Sequence, residues 1–260
     1  MAKELYAVLA EISTYGTIST YTPLASISAE TYLLPPPTTI VGALHYAYKR
    51  ASNDFKELKD AGYSPAIELV EEKRVLYAAA GIAKPVTVSK TIEKLYQHIY
   101  MRKQHWSRTQ MAYTIGVRPV AIVDKLYIFL IVNGEDLAKY CYAITRLGRK
   151  ESLVAVDNVI SVPVEKALTS ERFCETGFYF PHKIAKEYSP KGLWVEVDMP
   201  ALHRDNYLKK SIVLERYVMP APYSDVKATV HLNENGVVLS IRSADGKAIK
   251  IPVPKEVVAT

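Results

Sequence analysis

Hydrophobic positions along the chain fall into stretches with two spacings. Residues 5–12 (LYAVLAEI) carry β-compatible side chains in partial alternation and run into a Thr- and Tyr-rich stretch ending at Tyr21, which predicts a first strand and a connecting loop. From Thr39 onward Ile40, Val41, Leu44, Ala47 and Tyr48 recur at three-and-four spacing, the pattern of an amphipathic helix reaching about Ser52. The polar stretch 53–65 (NDFKELKDAGYSP) reads as an excursion, after which residues 74–80 (RVLYAAA) and 83–88 supply a second strand or hairpin edge. Residues 119–132 (PVAIVDKLYIFLIV) give the strongest strand signal in the chain, stopped by Asn133-Gly134. Residues 135–147 (EDLAKYCYAITRL) predict a second helix, with Leu137, Cys141, Ile144 and Leu147 on one face and Gly148 at its C-terminal stop. Residues 153–162 (LVAVDNVISV) close the series as another strand.

The order is thus strand, helix, strand, an inserted segment, strand, helix, strand, an α+β arrangement. It is the ferredoxin-like pattern, a four-stranded antiparallel sheet with two helices on one face, and the same pattern underlies RNA-recognition modules. Beyond Pro163 helical signals fade. Residues 193–197 (LWVEV), 212–218 and a hairpin candidate at 228–241 around Asn235-Gly236 predict a small β-rich C-terminal region. The expected division is a domain at 1–165 and a smaller one at 166–260.

With 260 residues and 49% hydrophobic content the chain can bury a substantial core. Its longest apolar run, residues 126–132, is far short of the roughly 20 residues a membrane helix needs, and Glu4 and Glu11 stand where a signal peptide would be apolar. A cytoplasmic protein with no membrane partner is expected. The two cysteines, Cys141 and Cys174, and the absence of Cys/His spacing suited to a metal support neither a disulfide framework nor a zinc site, so no metal or cofactor is expected.

The net charge of +6 is modest, but its distribution is uneven. Residues 90–118 hold six cations, Lys90, Lys94, Arg102, Lys103, Arg108 and Arg118, against the single acid Glu93. Tyr96, Tyr100, Trp106 and Tyr113 are interleaved with them. Cations for phosphates and flat rings for bases are what single-stranded nucleic acid binding requires, although a solvated basic face with inward-turned rings has the same composition.

Two further stretches carry candidate chemistry. In YLLPPPTTIVGAL, residues 32–44, Pro35, Pro36 and Pro37 force an extended approach to the helix, and Thr38 is suited to cap it through its hydroxyl. The helix start is a ready anion site, and Gly42, lacking a side chain, lets a phosphate, a base or another backbone come close. On chemistry alone a plain loop-to-helix turn with Gly42 packed on the sheet is the favoured reading. In ITRLGRKESLVAVDNV, residues 144–159, Arg146, Arg149 and Lys150 cluster at a turn around Gly148 and could hold phosphates, or could simply complement a helix C-terminus.

PPPTTIVGAL after a strand and loop, with LGRKESLVAV after the second helix, resembles the fifth family of CRISPR-associated proteins, in the RAMP superfamily. The likeness is greatest to archaeal type I-A members and covers mainly residues 1–165. It implies a ferredoxin-like, modified RNA-recognition domain with a basic hairpin thumb, here about residues 90–118. It also implies a non-catalytic subunit of an antiviral surveillance complex (Cascade) that caps the 5′ handle of crRNA, beside a backbone subunit of family seven and a large subunit of family eight. Carried over by position, Thr38, Thr39 and Gly42 fall in the motif beside the handle, and Arg146, Gly148, Arg149 and Lys150 in the turn after the second helix. Lys90, Arg102, Lys103, Trp106 and Arg108 are the contacts expected in the insert. The glycine-rich loop typical of the superfamily near the C-terminus is missing from this sequence.

One branch of that family cuts RNA with a histidine, a tyrosine and a lysine. His45 adjoins Tyr46 and His182 adjoins Lys183, yet side chains adjacent on a helix point about 100° apart and would not converge on one atom. A binding protein is therefore expected. A metal-independent endoribonuclease processing CRISPR repeat RNA, and a protein-interaction scaffold without RNA binding, are the alternatives.

Overall fold

A computed structural model describes residues 4–20, 31–53, 63–97, 112–208 and 211–259, with backbone alone at 93–97 and 112–116. The first half contains β1 (Leu5–Thr14), β2 (Thr17–Ile18), α1 (Pro37–Ala51), α2 (Ile67–Glu71), β3 (Val75–Ile82), β4 (Thr87–Gln97), β5 (Ala112–Ile122) and β6 (Lys125–Asn133). A 3-10 helix (Glu135–Ala143) and β7 (Val154–Pro163) follow, then α3 (Val164–Ala167), β8 (Phe173–Thr176), β9 (Phe180–Pro181) and β10 (Ala185–Ser189). The chain ends with β11 (Trp194–Pro200), α4 (Asp205–Leu208), β12 (Leu214–Pro220), β13 (Ala228–Leu232), β14 (Gly236–Arg242) and β15 (Ala248–Pro254). The whole is a mixed α/β protein whose strand ladders are antiparallel.

Its centre is a four-stranded sheet in the order β3-β6-β1-β7. Leu9 of β1 faces Phe129 on β6 and Ile160 on β7, so β1 is enclosed on both edges, and Ala7 to Ala10 are fully buried. α1 turns Ile40, Val41, Leu44 and Ala47 inward and packs against β3 and the 3-10 helix. Side chains from beyond residue 165 enter the same core: Phe178 lies against Tyr127 and Phe129 of β6, and Tyr179, Met199 and Leu239 are buried with them.

β4 and β5 pair along their whole length, from Thr87↔Ile122 to Gln97↔Ala112, so the described part of the basic insert is an antiparallel hairpin, with β2 added beside β5 at its base. Arg102, Lys103, Trp106 and Arg108 lie outside the described residues.

Four expectations from periodicity are corrected. The 119–132 run is two strands, because the chain leaves the hairpin at Ile122, turns at Val123-Asp124 and enters the central sheet at Lys125; Thr14 N–H donates to the Asp124 carbonyl at that turn (2.9 Å). The second helix is 3-10 and ends at Ala143. Beyond it Val154 N–H donates to the Thr145 carbonyl and Ser152 accepts from Leu147 N–H, both at 3.0 Å, so pairing with the next segment pulls residues 144–147 out of the helix. The 228–241 hairpin does not form: β13 pairs with β8 and β10, and β14 with β15. Neither Asn235 nor Gly236 takes the positive φ that a tight hairpin turn needs. Finally, Thr38 does not cap α1: Pro36 is the cap residue, with no side-chain cap bond, and Pro37, whose missing N–H costs nothing there, begins the helix.

Candidate nucleic-acid interface

The proline run is buried in its entirety, as part of the fold. Tyr179, itself fully buried, donates its hydroxyl to the Pro35 carbonyl (3.0 Å), and the Pro36 carbonyl accepts from Thr39 N–H (2.9 Å) and Ile40 N–H (3.2 Å). This clamps the entry of α1. Thr38 and Thr39 are half-buried in its first turn, which carries no acidic side chain to quench the positive end of the helix dipole. Gly42 is not packed on the sheet: a Cβ built there meets no described atom within 4 Å. It opens a gap on the outer face of α1 between Thr39 and the half-exposed Tyr46.

Gly148 is constrained in the opposite way. Its φ is +90°, and a Cβ would lie 2.5 Å from the Ser19 carbonyl oxygen, so glycine is obligatory at this approach. Arg149 N–H donates to that same carbonyl (3.3 Å), Ser152 Oγ accepts from Ser19 N–H (3.1 Å), and Ser19 Oγ donates to the Pro119 carbonyl of β5 (3.4 Å). Ser19 thus ties the turn at 146–152 to the foot of the hairpin, where Lys90 of β4 stands opposite Pro119 and is exposed.

Arg146 completes the junction. Its guanidinium lies 5.0 Å from the ring centroid of Tyr46 and donates to the Tyr46 hydroxyl at 3.4 Å, joining the turn to α1. It makes no ion pair among the described residues, and its Nε is buried without a hydrogen-bond partner among them. Arg149 and Lys150 share the Glu151 carboxylate at 3.9 and 3.8 Å, contacts worth about 0–1 kcal/mol where they are exposed to solvent.

The structure therefore brings together Thr39, Gly42, Arg146, Gly148, Arg149, Lys150 and the hairpin base with Lys90. Arg102, Lys103, Trp106 and Arg108 lie outside the described residues. Sequence reasoning missed the contact of Tyr46 with Arg146, and Ser19 altogether. Tyr46 was detectable as the aromatic one turn beyond Gly42 on the polar face of α1; Ser19 carries no local signal.

Neither histidine pair converges. His45 is buried, with Nε2 3.6 Å from Glu68, whereas Tyr46 points outward. His182 sits 3.4 Å from Glu196. Lys183 is held at 3.0 Å by both Glu215 and Glu256; partial burial opposes its charge, but the two carboxylates outweigh it and raise its pKa. Cys141 and Cys174 are buried thiols, each pushed up to about 12 by burial. Among the described residues no cluster of His, Cys, Asp or Glu is arranged to hold a metal, and no helix is long and apolar enough to cross a membrane.

The fold is similar to that of a CRISPR protein. A crystal structure of a CRISPR protein from Archaeoglobus fulgidus superposes on 94% of this chain and 98% of its own, with a TM-score of 0.57 at 17% identity, a likeness of fold. Sequence narrows the class. The chain is a relative of Cas5 proteins: it is 30% identical over 165 residues to the CRISPR system aCascade subunit Cas5 1 of Saccharolobus solfataricus, and 31% identical over 144 residues to the CRISPR-associated protein Cas5 3 of the same organism. These matches cover 61% and 53% of this chain and span 65% and 57% of the relatives' own lengths. No protein-family model matches the chain.

Proposed function

We propose that this chain is a non-catalytic RNA-binding subunit of a type I CRISPR surveillance complex, holding the 5′ handle of crRNA beside a family-seven backbone subunit and a family-eight large subunit. The observation that carries this reading is the junction at Ser19. It draws the base of the basic hairpin, the Arg146–Lys150 turn and, through Arg146 and Tyr46, the start of α1 onto one surface. Such a surface offers phosphates several cations and offers bases an aromatic ring. The relatives' names place them in CRISPR systems, one as an aCascade subunit. The ferredoxin-like reading draws support from the central sheet: β1, β3, β6 and β7, counted in chain order, lie in space as 2-3-1-4, the interleaving of two split β-α-β halves.

A non-catalytic role is favoured by the histidines. His45 is walled into the core, and Lys183 is committed to two carboxylates, so neither neighbour pair offers a base and a cation aimed at one ribose. Incubating the purified chain with labelled CRISPR repeat RNA in EDTA tests the reading. Retention that weakens with salt, without cleavage, is expected. Site-specific cutting abolished by His45→Ala or His182→Ala would replace it with the endoribonuclease, and an absence of salt-sensitive retention with the scaffold.

A further inference from the structure

Tyr46 and Arg146 form a contact that folding alone does not account for. They are 100 residues apart, and the bond between them joins two surface segments without covering the ring: Tyr46 remains 44% exposed. Arg146 is a cation without a carboxylate partner among the described residues, held over an aromatic ring at 5.0 Å from its centroid. Arg50, one helical turn beyond Tyr46, is exposed and likewise makes no ion pair among the described residues. At 3.6 residues per turn, Thr39, Gly42 and Arg50 all project within roughly 40° of Tyr46, so the ring stands between a side-chain gap and a cation along one stripe of α1.

Half-exposed aromatic surface and two guanidinium groups without a carboxylate partner among the described residues call for a ligand that is planar and anionic together. An apolar protein segment would leave both cations unanswered, and a free phosphate would leave the ring unused. A nucleotide answers both, its base stacking on the ring and its phosphate meeting the guanidinium groups. The gap over Gly42 leaves room for the neighbouring ribose-phosphate.

We infer that the Tyr46–Arg146 pair is the seat of one unpaired nucleobase of single-stranded RNA, with Arg146 and Arg50 neutralising the adjoining phosphates. This rests on the RNA-binding reading above and adds to it a particular subsite on the outer face of α1, apart from the hairpin.

The test uses the full chain and a single-stranded repeat RNA carrying 2-aminopurine, whose fluorescence reports stacking, at successive positions. Affinity is titrated across salt concentrations for the wild type, Tyr46→Ala, Tyr46→Phe and Arg146→Gln, with thermal melting of each variant. For Tyr46→Ala the expected result is a loss of affinity on the order of 5- to 150-fold with an almost unchanged salt slope, together with loss of the stacking signal at one position. Tyr46→Phe, which keeps the ring, should retain both affinity and signal. Arg146→Gln should flatten the salt slope by about 0.7. If the wild type binds the RNA and Tyr46→Ala, melting normally, binds it equally with the stacking signal intact, the subsite is overturned while the RNA-binding reading stands. If the wild type shows no salt-sensitive binding, both fall.

Discussion

Two glycines in the shared motifs occupy opposite surroundings, and substitution separates their roles. Gly148 has φ +90° with the Ser19 carbonyl 2.5 Å from where a Cβ would be, so Gly148→Ala should cost at least about 2 kcal/mol, read as a lowered urea midpoint. Gly42 faces open space in a helix interior, so Gly42→Ala should stabilise by about 0.5–1 kcal/mol. Gly42→Val, filling the gap with a branched side chain, should keep cooperative melting while weakening retention of guide RNA. Loss of cooperative melting in that variant would make Gly42 a packing residue. Tyr179 invites a third substitution: Tyr179→Phe removes the donor to Pro35 and strands a buried carbonyl, an expected loss of about 1–3 kcal/mol. An unchanged urea midpoint would show that the proline turn holds itself.

Among the elements, the β4–β5 hairpin bears most directly on the proposed function, since it carries Lys90 on its described part and the densest run of cations follows in the sequence. If it grips RNA, its cations release counterions from phosphates, and log affinity should fall with log salt at about −0.7 per contact. Replacing Arg102, Lys103 and Arg108 together with alanine should flatten that slope by about 2, with similar losses for unrelated sequences. Trp106→Ala should instead cost about 1–3 kcal/mol with the slope nearly unchanged, because stacking is not ionic. A triple variant with the wild-type slope would make the insert a solvated face. This hairpin was legible as a basic, aromatic segment between two strands. The 3-10 helix was read as α-helical because Leu137 and Cys141, four apart, fit the 3.6-residue period, whereas a 3-10 helix aligns residues three apart.

Across the whole molecule, one apolar core joins residues on both sides of position 165, and it encloses tyrosine hydroxyls. Tyr77, Tyr179 and Tyr217 are buried, and burial, aided by neighbouring Glu215 or tyrosine hydroxyls, raises the pKa of each far above 10.0. Their folded-state pKa values exceed the unfolded ones, so the stability they support is complete below pH 10 and is lost as pH rises beyond it. Each group that ionises in the unfolded chain alone contributes a slope of about 1.4 kcal/mol per pH unit, roughly 4 for the three. Urea unfolding followed from pH 9 to 11.5 should show this decline; a slope no steeper than that of one group would contradict it. What could be read from the chain without coordinates was whatever local spacing records: β1, α1 and β7, the β-rich second half, the basic insert and the two motif turns. Spacing reports that a face is buried but not against which partner. For that reason the 119–132 run concealed a change of sheet, and Asn235-Gly236 suggested a hairpin between strands that pair elsewhere. The candidate site depended still more on distant pairing. Arg146 reaches Tyr46, Gly148 meets Ser19 and Tyr179 holds Pro35 across more than ninety residues of chain, contacts set by how the sheet brings its loops together rather than by any residue's neighbours in sequence.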